Sequence, residues 1–98
     1  MTWTVRITGK ARRQAEKLSP AFRDALDALR RDIAANGPVA HQWPHYGKLK
    51  GRLGWHHCHL NKGKPRYVAV WKVTDKTIQL VEIRYVGTHE KADYGKIR

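Results

Sequence analysis

Histidines are concentrated in one short stretch of the chain, where positions 55–59 read Trp-His-His-Cys-His, and another histidine stands at position 89. On a β-strand alternate side chains point to opposite faces, so His57 and His59 share one face and Cys58 points to the other. Imidazole changes its protonation state near neutral pH, and a histidine beside a basic surface can move a proton at a phosphodiester. His57, His59 and His89 are therefore candidate acid–base groups.

Two other interpretations of these histidines remain open. His-x-His on a strand is a workable zinc spacing, and such a site would take its third ligand from His45 or His89. A histidine can also occupy a half-exposed strand without any chemical role. The sequence favours proton transfer for at least one of His57, His59 and His89, and we expect no metal or other cofactor.

The charge of the chain indicates a polyanionic partner. Twenty Lys and Arg oppose eight Asp and Glu, for a formal net charge of +12, and residues 33–74 contain no acidic residue. Cations release condensed counterions from phosphates, and aromatic rings stack on unpaired bases. The shortage of carboxylates argues against a two-metal nuclease. The candidate RNA-binding residues are the cations and rings Lys48, Lys50, Arg52, Trp55, Lys64, Arg66, Tyr67 and Tyr94.

Periodicity predicts a single domain, 1–98, with the element order β-α-α-β-β-β. We expect an α+β fold in which two N-terminal helices pack on one face of a small antiparallel sheet, and the opposite face stays open for a ligand. Gly63 should supply a positive φ in a hairpin turn, and Gly87 should permit a sharp turn. The predicted strands are 2–8, 52–60, 66–73 and 77–86, the helices are 10–18 and 20–35, 39–51 is a loop and 88–98 a polar tail.

A cytoplasmic location is expected. One cysteine, Cys58, excludes an internal disulfide and fits a reducing compartment. The first residues contain no apolar run like that of a signal peptide, and no segment is long and apolar enough to cross a membrane.

The stretch from Lys48 to Tyr94 resembles the RelE/ParE toxin superfamily and is most similar to its YafQ and HigB types. The resemblance rests on four short motifs in a fixed order, and the predicted element order agrees with the fold of that superfamily. The motifs are Leu49-Lys50-Gly51, Gly54-Trp55-His56-His57-Cys58-His59, Val68-Ala69-Val70-Trp71-Lys72-Val73 and Gly87-Thr88-His89.

This resemblance implies the toxin of a type II toxin–antitoxin system, a metal-independent endoribonuclease that inhibits translation by cutting mRNA on the ribosome. It also implies a cognate antitoxin that covers the toxin. His59 matches the strand histidine of the pattern and His89 the histidine of Gly-Thr-His, so they would form the acid–base pair, with their order open. The arginine of the pattern falls at Tyr85, and the adjacent Arg84 is the nearest cation to stabilise the phosphorane.

Two rival functions use the same features. One is a gyrase inhibitor of the ParE type, which would share the fold but not need the histidines. The other is a non-catalytic module that binds RNA or the ribosome, which would need only the charge and the rings.

Overall fold

The computed structural model describes residues 2–98 and contains two helices and one five-stranded sheet. The predicted order is confirmed, with one added two-residue strand inside the predicted loop 39–51. The elements are β1 (Thr4–Ile7), α1 (Gly9–Glu16), α2 (Pro20–Asn36), β2 (Gly47–Lys48), β3 (Trp55–His59), β4 (Tyr67–Asp75), β5 (Leu80–Thr88) and a 3-10 helix (His89–Lys91).

The sheet has the strand order β1-β5-β4-β3-β2. Neighbours from β2 to β5 are antiparallel, as expected for strands joined by short turns. The first strand, however, pairs in parallel with the last, with Thr4 opposite Leu80 and Ile7 opposite Ile83. The predicted antiparallel sheet did not include this parallel edge, which joins distant parts of the chain and leaves no local sequence signal. The α+β architecture is confirmed.

Both helices begin at residues suited to that position. The Thr8 hydroxyl accepts a hydrogen bond from the Ala11 amide at 3.2 Å, which caps α1. Ser19 precedes α2, and Pro20 opens it where a missing N–H costs nothing. Helix α2 buries Leu29 and Ile33 completely, and together with α1 it covers one face of the sheet.

The sheet face away from the helices is not open throughout, and the prediction of an uncovered surface is wrong there. A second hydrophobic cluster occupies the face, and Ile97, the next-to-last residue, is buried in it, with Ala92 and Tyr94 packed alongside. The Arg52 guanidinium donates to the Tyr94 carbonyl at 2.6 Å and helps to hold the segment down. The sequence predicted a polar tail because polar and charged residues outnumber the apolar ones in 88–98. The other members of the cluster are Leu49, Trp55, Val68, Val70 and Tyr85.

Two glycines act differently from the prediction. Gly63 does not have a positive φ; the turn is closed instead by Asn61, whose side-chain amide donates to the Pro65 carbonyl at 3.0 Å and accepts from the Tyr67 amide at 2.9 Å. Gly87 lies inside β5 rather than in a turn. A Cβ there would lie 2.6 Å from the Tyr85 hydroxyl, so Gly87 makes room for that ring.

Within residues 2–98, neither helix has the length and apolar character needed to span a lipid bilayer.

Candidate active site

Four histidines from three segments meet on the sheet face opposite the helices, and we call His45, His57, His59 and His89 the histidine cluster. The rings of His59 and His89 lie 5.3 Å apart between centroids, in an edge-on arrangement. The rings of His45 and His59 are 4.4 Å apart. Strand β3 carries His57 and His59, the 3-10 helix after β5 carries His89, and the loop before β2 carries His45. Within residues 2–98, no three histidine, cysteine or carboxylate side chains are arranged to hold a metal ion.

His59 is only 6% exposed, and its surroundings favour the neutral ring. Burial is the main cause that lowers the pKa of His59, followed by the charges of His45, His89 and Arg66. A neutral imidazole at pH 7 can accept a proton. His59 therefore has the protonation state that a general base needs.

His57 lies one strand step away on the same face and is also kept neutral. Burial lowers its pKa first, and His89 and His45 lower it further. Its ring lies 5.1 Å from the Tyr94 ring, which covers it. On the other side of the His57 ring, Gly47 leaves room for the imidazole, because a Cβ at Gly47 would lie 3.2 Å from the His57 Nε2.

Arg66 is the cation beside this cluster. Its carbonyl accepts a hydrogen bond from the His89 amide at 2.8 Å, which ties the turn before β4 to the 3-10 helix. Its charge is among the causes that lower the pKa of His59, so the guanidinium and the imidazole are close enough to interact. The side chain is exposed, and within residues 2–98 it forms no ion pair. It is free to meet an incoming phosphate.

His56 belongs to the helix-covered face, as the alternation predicted, and has a structural environment. Its ring is stacked 5.9 Å from the buried Trp71 ring, and its Nδ1 lies 2.7 Å from the Tyr46 hydroxyl. Burial, then Lys48 and His57, lower the pKa of His56 to about 4. Lys48 stands opposite His56 in the β2–β3 pair, so it shares that face and lies away from the histidine cluster.

Three cations surround one indole at the other end of the same sheet face, and we call Arg52, Lys72, Arg84 and Trp55 the cation cluster. The Arg52 guanidinium lies 3.9 Å from the Trp55 ring centroid. The Lys72 ammonium and the Arg84 guanidinium each lie 5.7 Å from it. Glu82 pairs with Arg84 at 2.6 Å.

A β-bulge explains why Arg84 belongs to this cluster. Val70 pairs with Tyr85 and Trp71 with Ile83, which leaves Arg84 as the extra residue between them. A bulge lets two successive side chains leave on one side of the sheet. Arg84 and Tyr85 therefore both lie on the face opposite the helices.

The structure divides the predicted site residues into two groups. It brings His57, His59 and His89 together with Arg66, and it places Arg84, Arg52 and Trp55 in the cation cluster. Trp55 and His59 occupy the same face of β3 four residues apart, which separates the two groups by about 13 Å at the usual rise of a strand.

The remaining predicted RNA-binding residues are scattered. Tyr67 packs on the helix-side core, with its ring 4.4 Å from Phe22, and Trp55 is buried, so neither ring is free to stack on a base. Lys50 and Lys64 are exposed in loops, and Tyr94 covers His57. Sequence reasoning named His45 only as a possible zinc ligand and left Lys72 out of the site. Lys72 stands opposite Trp55 in the β3–β4 register, a pairing that only the strand alignment reveals.

Comparison with solved structures identifies the fold. A double mutant of the Escherichia coli toxin RelE in the free state is 19% identical, with a TM-score of 0.72 over 92% of this chain and 86% of that one. The RelBE2 toxin–antitoxin complex from Mycobacterium tuberculosis gives 24% identity and a TM-score of 0.67 over 91% of this chain and 100% of that one. The archaeal RelE–RelB complex from Pyrococcus horikoshii gives 18% identity and a TM-score of 0.71 over 94% of this chain and 100% of that one.

The sequence matches no protein-family model and no curated protein. The structural likeness covers nearly the whole chain, and it shows that this chain has the fold of the RelE toxins. At these identities the likeness describes the fold, and the chemistry must be argued from the residues of this chain.

Proposed function

We propose that this protein is a toxin-type endoribonuclease that cuts mRNA without a metal, using His59 and His89 as its acid–base pair. The observation that supports the proposal most is the 5.3 Å approach of these two rings beside Arg66 in a chain of net charge +12. Two imidazoles on either side of a phosphodiester can remove one proton and supply another. The arrangement also agrees with the RelE fold.

In the proposed reaction, His59 takes the proton of the ribose 2′-hydroxyl as its oxygen attacks the adjacent phosphorus. The bond from phosphorus to the 5′-oxygen breaks, and His89, acting as the acid, gives a proton to that oxygen. The products are a 2′,3′-cyclic phosphate and a free 5′-hydroxyl. We assign the base to His59 because burial and its neighbours lower its pKa, which keeps the ring neutral.

Arg66 is a better candidate than Arg84 to stabilise the phosphorane. Negative charge grows on the non-bridging oxygens in the transition state, so the cation must lie beside the reacting phosphate. Arg66 interacts with His59 and is held by the backbone of His89. Arg84, which the sequence suggested, is instead paired with Glu82 and stacked near Trp55 in the cation cluster.

An antitoxin and the ribosome complete the proposal. Two of the structural neighbours are RelE-type toxins in complex with their antitoxins, which supports a cognate antitoxin as the partner of this chain. The proposed substrate is mRNA on the ribosome, which makes the protein an inhibitor of translation in the cytoplasm. The basic surface fits a partner of either kind that carries negative charge.

Controlled expression in a bacterial host tests the function. The wild-type chain should arrest growth and protein synthesis and leave cleaved mRNA, whereas His59→Ala combined with His89→Ala should relieve the arrest at the same protein level. His41→Ala is the matched control, because this exposed histidine lies outside the histidine cluster. A double variant that stays fully toxic would refute the site. Inhibited DNA supercoiling with intact mRNA would indicate a gyrase inhibitor, and RNA binding without cleavage a non-catalytic module.

A further inference from the structure

The cation cluster is an unexplained concentration of like charge. Arg52, Lys72 and Arg84 all lie within 5.7 Å of one ring centroid, and among residues 2–98 Glu82 is the only carboxylate paired with any of them. The Arg84 and Glu82 side chains are only 21% and 26% exposed, so water screens them incompletely. Glu82 offsets the charge of Arg84 and stacking on Trp55 stabilises Arg52, which leaves the charge of Lys72 without an ion-pair partner within residues 2–98.

We propose that the cation cluster is a second phosphate site, which holds the RNA strand several nucleotides away from the bond that the histidine cluster cuts. An anion between the three cations would offset their mutual repulsion. This inference rests on the proposed function, because it takes the ligand to be the same RNA strand.

The position of the cluster favours a nucleic-acid strand as its ligand. Trp55 and His59 point from the same face of the same strand, about 13 Å apart. A stacked single strand rises by about 3.4 Å per nucleotide, so about four nucleotides span this distance, and an extended strand needs fewer. An RNA that reaches both clusters would place one phosphate at each. A short acidic peptide could meet the charges but has no reason to reach the histidines.

The geometry predicts that affinity depends on the length of the RNA. A dinucleotide can reach only one cluster, whereas an octanucleotide can reach both. Counterion release makes each phosphate contact on a single strand contribute about 0.7 to the slope of log affinity against log salt. The affinity for the octanucleotide should therefore fall more steeply with salt than the affinity for the dinucleotide, and the difference should come from the cation cluster.

The test measures binding of non-cleavable 2′-O-methyl RNA, as a dinucleotide and as an octanucleotide, by the full chain. Lys72→Gln with Arg84→Gln should lower the ratio of octanucleotide to dinucleotide affinity by about tenfold or more and reduce the salt slope by about 0.7, because the cluster holds one phosphate. The matched control, Arg31→Gln with Lys76→Gln, removes the same charge from two exposed positions outside both clusters. Its affinity ratio should stay near that of the wild type.

Folding is checked by thermal unfolding, and Lys72→Gln alone is the milder variant if the double variant is unstable. An affinity ratio that falls equally in the cation-cluster variant and the control would overturn the second site while leaving the proposed function intact. Equal competition by a hexaglutamate peptide at the cluster would overturn it in favour of an acidic protein partner. A wild-type chain that binds no octanucleotide and cuts no RNA would instead overturn the proposed function.

Discussion

The histidine cluster and the cation cluster lie at two ends of one sheet face. The first contains rings that are kept neutral, and the second contains side chains that carry positive charge. In the histidine cluster, burial and crowding lower the pKa of His57 and of His59, so these rings lose their protons. In the cation cluster, two guanidinium groups and one ammonium group place positive charge around a single indole ring. The comparison shows that similar crowding yields groups that exchange protons at one end and a fixed positive field at the other.

The largest effect is expected in the cleavage kinetics of variants in the two clusters. His59→Ala should lower kcat by about 10²- to 10⁴-fold, because it removes a proton acceptor from the transition state. Lys72→Gln with Arg84→Gln should act mainly on KM, because these groups bind substrate and transition state alike. Steady-state cleavage of a fluorescent RNA gives both constants. The division between chemistry and binding fails if the cation-cluster variant loses as much kcat as His59→Ala.

The helix-side histidine provides a contrast in stability. The pKa of His56 is lowered to about 4 in the folded protein, against about 6.5 in the unfolded chain. Between these values the unfolded state binds a proton that the folded state does not, so stability falls as the pH drops from about 6.5 to about 4. The slope is at most about 1.4 kcal/mol per pH unit for this one group.

His56→Gln should therefore flatten the acid side of the stability profile by about one proton. His57 and His59, whose pKa values are also lowered, would keep contributing a loss of stability in the same direction. Urea unfolding between about pH 7 and about pH 4 measures the slope, with His41→Gln as control. An unchanged slope in His56→Gln would contradict the assigned pKa.

Gly87→Ala should destabilise the second hydrophobic cluster, to which Tyr85 belongs. The added methyl would lie 2.6 Å from the Tyr85 hydroxyl, which donates to the Thr88 carbonyl, so the ring must move. Overpacking of this kind costs about 1–3 kcal/mol in the free energy of unfolding. Gly63→Ala is the control, because its nearest neighbour atom is the Asn61 amide nitrogen at 4.0 Å. Equal stabilities of the two variants would show that the close approach is not required.

Glu82→Gln should give the smallest effect, and it tests whether the charge of the cation cluster contributes to RNA binding. Removing the carboxylate frees Arg84 from its 2.6 Å ion pair and raises the local charge by one. Octanucleotide affinity should rise about three- to tenfold, and the salt slope should steepen by up to about 0.7. Glu16→Gln makes the same change in net charge on the exposed surface of α1. The cluster has no role in binding if both variants gain the same affinity.

The fold was largely predictable from the sequence because its helices and central strands have strong periodic patterns. The stripe of Leu26, Leu29 and Ile33 and the Ser19-Pro20 start defined α2, which the structure confirms. The parallel pairing of β1 with β5 was not predictable, because it depends on contacts between the two ends of the chain. The burial of Ile97 was missed for the same reason, since one apolar residue in a polar tail carries no periodic signal.

The candidate site was predictable only in part. Alternation along β3 correctly separated His56 from His57 and His59, because a strand has a period of two. The place of Arg84 could not be derived, because the bulge that turns it toward the Trp55 face is a property of the strand pairing. His45 was named only as a possible zinc ligand, because its place beside His59 depends on a loop conformation in which His45 itself has a positive φ of 52°.

Product chemistry tests the central claim most directly. A short RNA is digested on ribosomes and, with a chelator present, free in solution, and the mass of the 5′ fragment is measured. The account predicts a 2′,3′-cyclic phosphate on that fragment, and its loss when the ribose at the cleavage site is 2′-deoxy. A fragment ending in a 3′-hydroxyl, or cutting of the free RNA that stops when the chelator is added, would contradict proton transfer by His59 and His89.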